Sequence, residues 1–171
     1  MGYQLIEEIS VGAGGAASIE FTGIPQDGID LMLKVSTRCT STAVVLEMQF
    51  NADTSASYAY RWLRGTGSAT SSGNSGSGYQ STYAMIGLVN GSSATANTFN
   101  NQEAYIPNYA GSSIKSFSSD AVDENNATAS YQTIQAGGWN NTAAITSVKL
   151  FLDTGNFAQY STASLYMITA D

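Results

Sequence analysis

Apolar residues along this chain recur with a period of two, and β-branched and aromatic side chains fill the stretches where they do. In Ile29-Asp30-Leu31-Met32-Leu33-Lys34-Val35, the residues Leu31, Leu33 and Val35 fall on one face and Asp30 and Lys34 on the other, which predicts a half-buried strand. Val44 to Phe50 repeats the pattern, with Val44, Leu46, Met48 and Phe50 alternating against Glu47 and Gln49. Ser57 to Arg64 places Tyr58, Tyr60 and Trp62 on a common face. Further strands are expected at Tyr3 to Ile9, Ala17 to Phe21, Tyr83 to Val89, Ser113 to Ser118, Ala129 to Gln135, Ile145 to Leu152 and Ala163 to Ile168. No stretch carries the spacing of an amphipathic helix.

Turn-forming clusters separate these segments: Gly12 to Gly15, Pro25 to Gly28, Asn51 to Ser55, Asn90 to Asn101, Gly137 to Asn141 and Asp153 to Asn156. About ten antiparallel strands at short spacing predict an all-β sandwich or barrel. Residues 65–81 are almost entirely Gly, Ser and Thr, and without an apolar anchor they read as a long exposed loop, either solvated or ordered by a partner. Nothing else splits the 171 residues, so a single domain over 1–171 is expected.

Composition narrows the function classes. Hydrophobic residues at 43% supply a core, whereas charged residues at 11% fall well below the share of about 25% in ordinary globular domains. The surface is therefore hydrogen-bonding rather than ionic. A formal charge of -7 leaves no basic footprint for phosphates, so direct nucleic-acid binding is not expected. Arg61 and Arg64 are the only close pair among scattered cations. The first residues, Met1-Gly2-Tyr3-Gln4-Leu5-Ile6, have neither a cationic region nor an apolar signal core, and the longest apolar run is far short of a bilayer span. The expectation is a chain made and kept in a cytosol, without membrane insertion.

Catalytic chemistry has little to work with. There is no histidine, which removes Ser-His-Asp and Cys-His arrangements and histidine-containing zinc sites. Cys39 is the lone cysteine, cannot bridge within the chain, and reads as a passive buried thiol. Gly12-Ala13-Gly14-Gly15 precedes a strand pattern rather than a helix, so it reads as a turn and not a phosphate loop. Glu7, Glu8, Glu103, Asp120, Asp123 and Glu124 are available for carboxylate chemistry, but no spacing singles out a pair. Asp120 to Asn125 offers oxygen ligands without the frame of a calcium loop. No catalytic residue, metal or cofactor is expected. Tyr58, Tyr60 and Trp62 suit either a core layer or a sugar-stacking platform, and Trp139, in its turn cluster, either plugs the end of the sandwich or contacts carbohydrate.

Three blocks carry a resemblance. The first is Ala17-Ser18-Ile19-Glu20-Phe21-Thr22-Gly23-Ile24-Pro25 with Leu31-Met32-Leu33 and Arg38, and the second is Phe50-Asn51-Ala52-Asp53-Thr54 leading into Tyr58, Tyr60 and Arg64-Gly65. The third is Trp139 to Val148, then Gly155-Asn156-Phe157, Ser161 and Leu165-Tyr166-Met167-Ile168. Together and in this order they resemble a family of bacteriophage structural proteins with jelly-roll domains, found as capsid cement or decoration proteins and as tail-associated proteins. Tyr160 and Met167 stand where that family often has glycine. The resemblance implies a jelly-roll-like β-sandwich, a place on the virion after synthesis in the host bacterial cytoplasm, and no enzymatic activity. It implies binding to the major capsid protein outside the shell, as a homotrimer; the alternative is a tail-associated, lectin-like module that binds host glycans. Arg61, Trp62, Arg64 and Trp139 are the candidate contacts to a partner or glycan. Ile24, Pro25, Asn51 and Asp53 are expected to be structural, the proline ending a strand and the two polar side chains capping their own turn.

Overall fold

The structure, a computed structural model, describes residues 2–42, 44–123 and 130–170. Among these residues twelve strands are formed: β1 (Gly2–Ser10), β2 (Ser18–Thr22), β3 (Asp30–Ser36), β4 (Val44–Phe50), β5 (Tyr58–Gly65), β6 (Thr70–Asn74), β7 (Ala84–Val89), β8 (Asn101–Ile106), β9 (Lys115–Asp123), β10 (Tyr131–Trp139), β11 (Ser147–Leu152) and β12 (Thr162–Thr169). They pair antiparallel in an eight-stranded sheet, ordered β1-β12-β3-β8-β9-β10-β5-β6, and a four-stranded sheet, ordered β2-β11-β4-β7. The chain is all-β, and its two sheets form a sandwich.

Alternation decides which side chains enter the space between the sheets. Leu31, Leu33 and Val35 of β3, with Leu165 and Met167 of β12, come from the large sheet; Ile19 and Phe21, Leu46, Met48 and Phe50, and Val148 and Leu150 come from the small one. All are essentially removed from water, and each contributes roughly 1.5–3 kcal/mol relative to exposure.

Toward β7 the interior turns polar. Gln102 Nε2 and Ser119 Oγ both donate to the Ile86 carbonyl, and Asn100 Nδ2 donates to that of Leu88. Asn100 Oδ1 in turn accepts from Thr37 N and Oγ1, each at 2.7 Å. β7 is the border strand of the small sheet, and these side chains of the large sheet's inner face satisfy carbonyls that have no further strand to pair with.

That seam accounts for two differences from the sequence expectations. No strand is expected from the sequence where β8 runs, and the strand expected at Ser113 to Ser118 is β9, which continues to Asp123; their inward positions include Gln102 and Ser119, which break the apolar alternation while being buried. β10 continues through Gly137 and Gly138 to Trp139 where a turn was expected, because Gly137 presents no Cβ to the Phe117 ring packed beneath it. The stretch 65–81 is not one open loop: β6 pairs with β5 from Arg61↔Asn74 to Gly65↔Thr70, closed by the Thr66 N to Ala69 O bond. Its residues have no face to bury, so no periodicity announced it. The expected strand start at Ala129 and the residues Glu124 and Asn125 lie outside the described residues.

Candidate functional site

The motif residues pin the ends of strands. Ile24 is buried and donates its N–H to Thr146 O, while the Pro25 carbonyl accepts from the Tyr109 hydroxyl. Asn51 adopts a positive φ of 52°, and its side chain does not cap its own turn as expected: Oδ1 accepts from Thr146 N and Ser147 N and Nδ2 donates to Ala144 O, because the left-handed backbone turns the amide toward the start of β11. Asp53 accepts from Ser55 N at 2.9 Å, Ser57 Oγ at 2.8 Å and Trp139 Nε1 at 2.7 Å. Burial pushes its carboxyl up, but the bonds from Ser55, Trp139 and Ser57 outweigh that and hold it well below the ordinary range.

This geometry corrects the reading of Trp139 as a partner or glycan contact. It is 0% exposed, stacks on Tyr58 at 6.3 Å and packs against Phe50 at 5.5 Å, with its one donor engaged by Asp53. As the last residue of β10 its side chain alternates inward, where a turn position would have left it free to point outward.

Other chemistry-bearing groups are likewise held internally. Cys39 is buried, its thiol donates to the carbonyls of Ser41 and Thr42, and burial pushes its pKa up. Lys115 is 1% exposed, and its Nζ donates to the carbonyls of Gly111 and Ser113 at 2.6 Å; burial lowers its pKa. Arg38 donates to the carbonyls of Ala94, Thr95 and Thr98, and Lys34 pairs at the surface with Glu103. Asp120 and Asp123 alternate to opposite faces of β9, one exposed and one buried, which separates two of the three carboxylates considered for calcium; the third, Glu124, lies outside the described residues.

What remains is β5. Cover by the small sheet thins along it, because β7 packs on β9, β10 and only part of β5. Tyr58 is buried, while Tyr60 and Trp62 are half-buried. Trp62 lies flat on Gly73 of the neighbouring β6, where an added Cβ would come within 2.6 Å of the indole. The Arg64 guanidinium sits 4.7 Å over the Trp62 ring and 5.3 Å over that of Tyr131, which begins β10. Its Nε is buried without a hydrogen-bond partner, and among the described residues Arg64 enters no ion pair. The structure thus joins Trp62 and Arg64 and adds Tyr131, which no local pattern marked because it reaches the site only through the β10–β5 ladder.

Arg61 points the other way. On the outer face of the large sheet it borders two shallow open depressions, one floored by Ala136 and Gly138 beside Tyr79 and Ile114, the other running along Leu63 and Ile134. Leu63 and Ile134 are direct cross-strand partners, 50% and 49% exposed, and Ile114 is 50% exposed. Isolated outward apolar residues in otherwise polar strands were the only sequence signal for this patch. Among the described residues no group of acidic, cysteine or histidine side chains is placed to hold a metal ion, and no helix is long and apolar enough to cross a membrane.

No family model matches the chain, and no curated protein matches it.

Proposed function

We propose that this chain is a non-enzymatic bacteriophage capsid cement protein, bound outside the shell as a homotrimer and bridging major capsid subunits. The strand order supports it: β1-β12-β3-β8 over β2-β11-β4-β7 follows the jelly roll of two Greek keys common in viral capsid domains, with the β5–β6 and β9–β10 hairpins widening one sheet. The observation that carries the reading is the outer face of that widened sheet. It presents Leu63, Ile134 and Ile114 half exposed, with Tyr79 and Arg61 among them, and bordered by Ser116 and Ser118 and, beyond Ile134, by Asp120 and Glu103. Exposed apolar patches with a polar rim mark protein interfaces.

Cosedimentation with isolated expanded capsids is the test. The wild-type chain is expected to saturate them, and a Leu63→Lys, Ile134→Lys double variant to lose at least about tenfold in affinity, since two interface anchors are replaced by desolvated charges. Failure of the wild type to bind capsids, with recovery only on tails, overturns the proposal. The second reading, a tail-associated glycan-binding module, draws on the Trp62, Arg64 and Tyr131 arrangement on the opposite face.

A further inference from the structure

We propose that the outer face of the large sheet takes up an arginine or lysine side chain of the major capsid protein, with its charge against Asp120 and Glu103 and its stem against Ile134. The inference rests on the capsid reading and adds to it the chemistry of the partner.

One row of side chains crosses five neighbouring strands of that face. Direct cross-strand pairing sets Lys34 of β3 beside Glu103 of β8, Glu103 beside Asp120 of β9, Asp120 beside Ile134 of β10, and Ile134 beside Leu63 of β5. Only 11% of the residues are charged, so crowding does not force two carboxylates into directly opposed positions. Like charges placed this way lie about 4.5–5.5 Å apart at Cβ and oppose the pairing of their strands. Lys34 answers one of them: its Nζ is 3.7 Å from Glu103, on the side away from Asp120. Asp120 is exposed and, among the described residues, enters no ion pair. The row therefore carries an uncompensated negative charge at the border of the apolar pair Ile134 and Leu63.

The shape beside that charge suits a long cationic side chain better than a bare ion. Glu103, Asp120 and Ser118 border a shallow depression of about 330 Å³ whose other walls are Met32, Tyr105 and Ile134. Apolar walls cover the methylenes of an arginine or lysine while its head stays with the carboxylates, and exclusion of water by the partner strengthens the pair. The Tyr105 hydroxyl donates to Asp30 Oδ2 at 2.6 Å, so this wall presents a ring and no competing donor. A divalent ion finds too few ligands, since among the described residues no three acidic, cysteine or histidine side chains gather here. A second copy is a poor source of the cation: of the six basic residues, Lys115 is buried, Arg38 is engaged by three carbonyls and Lys34 is already paired. A different protein supplies the charge better, and in the capsid reading that protein is the shell.

Cosedimentation of the full chain with isolated expanded capsids, at about 50 and about 300 mM sodium chloride, tests the proposal. The wild type is expected to bind more weakly at the higher salt. Asp120→Asn is expected to bind about three- to tenfold more weakly than the wild type at the lower salt and to lose part of the salt dependence. Its thermal midpoint should equal or exceed that of the wild type, because one of two opposed charges is gone, so weaker binding cannot come from a weaker fold. Lys34→Met, which removes the internal rival for Glu103, should bind severalfold more tightly. Asp120→Asn binding as tightly as the wild type at both salt concentrations overturns the inference and leaves the capsid reading standing. A wild type that does not bind capsids overturns both. Sedimentation velocity covers the remaining occupant: if Ile134→Lys dissociates the protein's own oligomer, the face is a contact between copies and the inference falls.

Discussion

Glu47 makes stability depend on pH in a direction opposite to that of most carboxylates. It lies on β4 with Phe151 and Met85 as cross-strand neighbours and is only 5% exposed. Burial pushes its pKa from 4.5 to about 7, the negative charge of Asp153 adds to the shift, and the Tyr83 hydroxyl draws it partly back. Because the folded pKa lies above the unfolded one, the folded state holds the proton more tightly. The stabilisation is therefore complete below pH 4.5 and is lost as pH rises to about 7. A shift from 4.5 to about 7, at about 1.4 kcal/mol per unit, makes that loss roughly 3 kcal/mol. Glu47→Gln keeps the shape and removes the titration. Allowing about 1 kcal/mol for the altered contact with Tyr83, the variant should exceed the wild type by about 2 kcal/mol at pH 8 and match or trail it at pH 4.5. Urea melts of both proteins across that range read the difference directly. Parallel pH profiles for the two would refute the assignment, and so would a wild-type stability that does not fall over this window beyond the slope shared with the variant.

Tyr160 holds a φ of +71° with its ring 72% exposed, at a position where the resembled family often has glycine. Relief of a left-handed conformation worth about 1–2 kcal/mol should outweigh the added freedom of the unfolded chain, so Tyr160→Gly should raise the thermal midpoint by a few degrees. Gly73→Ala should cost about 1–3 kcal/mol in chemical denaturation and alter the Trp62 emission, because the new methyl displaces the indole. Asp53→Ala should cost about 3 kcal/mol, since it leaves the buried Trp139 N–H unpaired and releases Ser55 and Ser57. With its carboxyl held low, the stabilisation from Asp53 is present at neutral pH and is lost as pH falls below 3.8, which an acid titration of wild type against this variant would show.

Strands that bury one apolar face were legible in the sequence, and β2, β3, β4, β11 and β12 lie close to where the alternation placed them. At the candidate site the sequence pointed to the neighbours Trp62 and Arg64, which sit two apart on one strand and so share a face. Their arrangement as a unit depends on Tyr131 and Gly73, contributed by the strands on either side of β5, and no local pattern encodes that registry. Trp139 shows the converse: an indole beside two glycines suits a plug or a contact equally until the Asp53 carboxylate that receives its N–H, from another part of the chain, decides for the plug.

The strands that escaped the alternation have a common cause. β8 and β9 direct Gln102 and Ser119 inward, and a hydrophobicity pattern reads such residues as facing solvent. They are buried because β7, at the border of a four-stranded sheet set against eight, has carbonyls that no strand pairs, and an apolar residue opposite would leave Ile86 and Leu88 with unsatisfied acceptors. The unequal widths of the sheets thus impose a polar interior near β7. They also leave part of β5 and all of β6 beyond the main cover, which is where Trp62 and Arg64 become half exposed. The interior seam and the half-exposed Trp62 and Arg64 follow from the same added strands: the inward face of the large sheet turns polar where it outgrows the small one, as at Gln102, Ser119, Thr133 and Gln135, all of them buried.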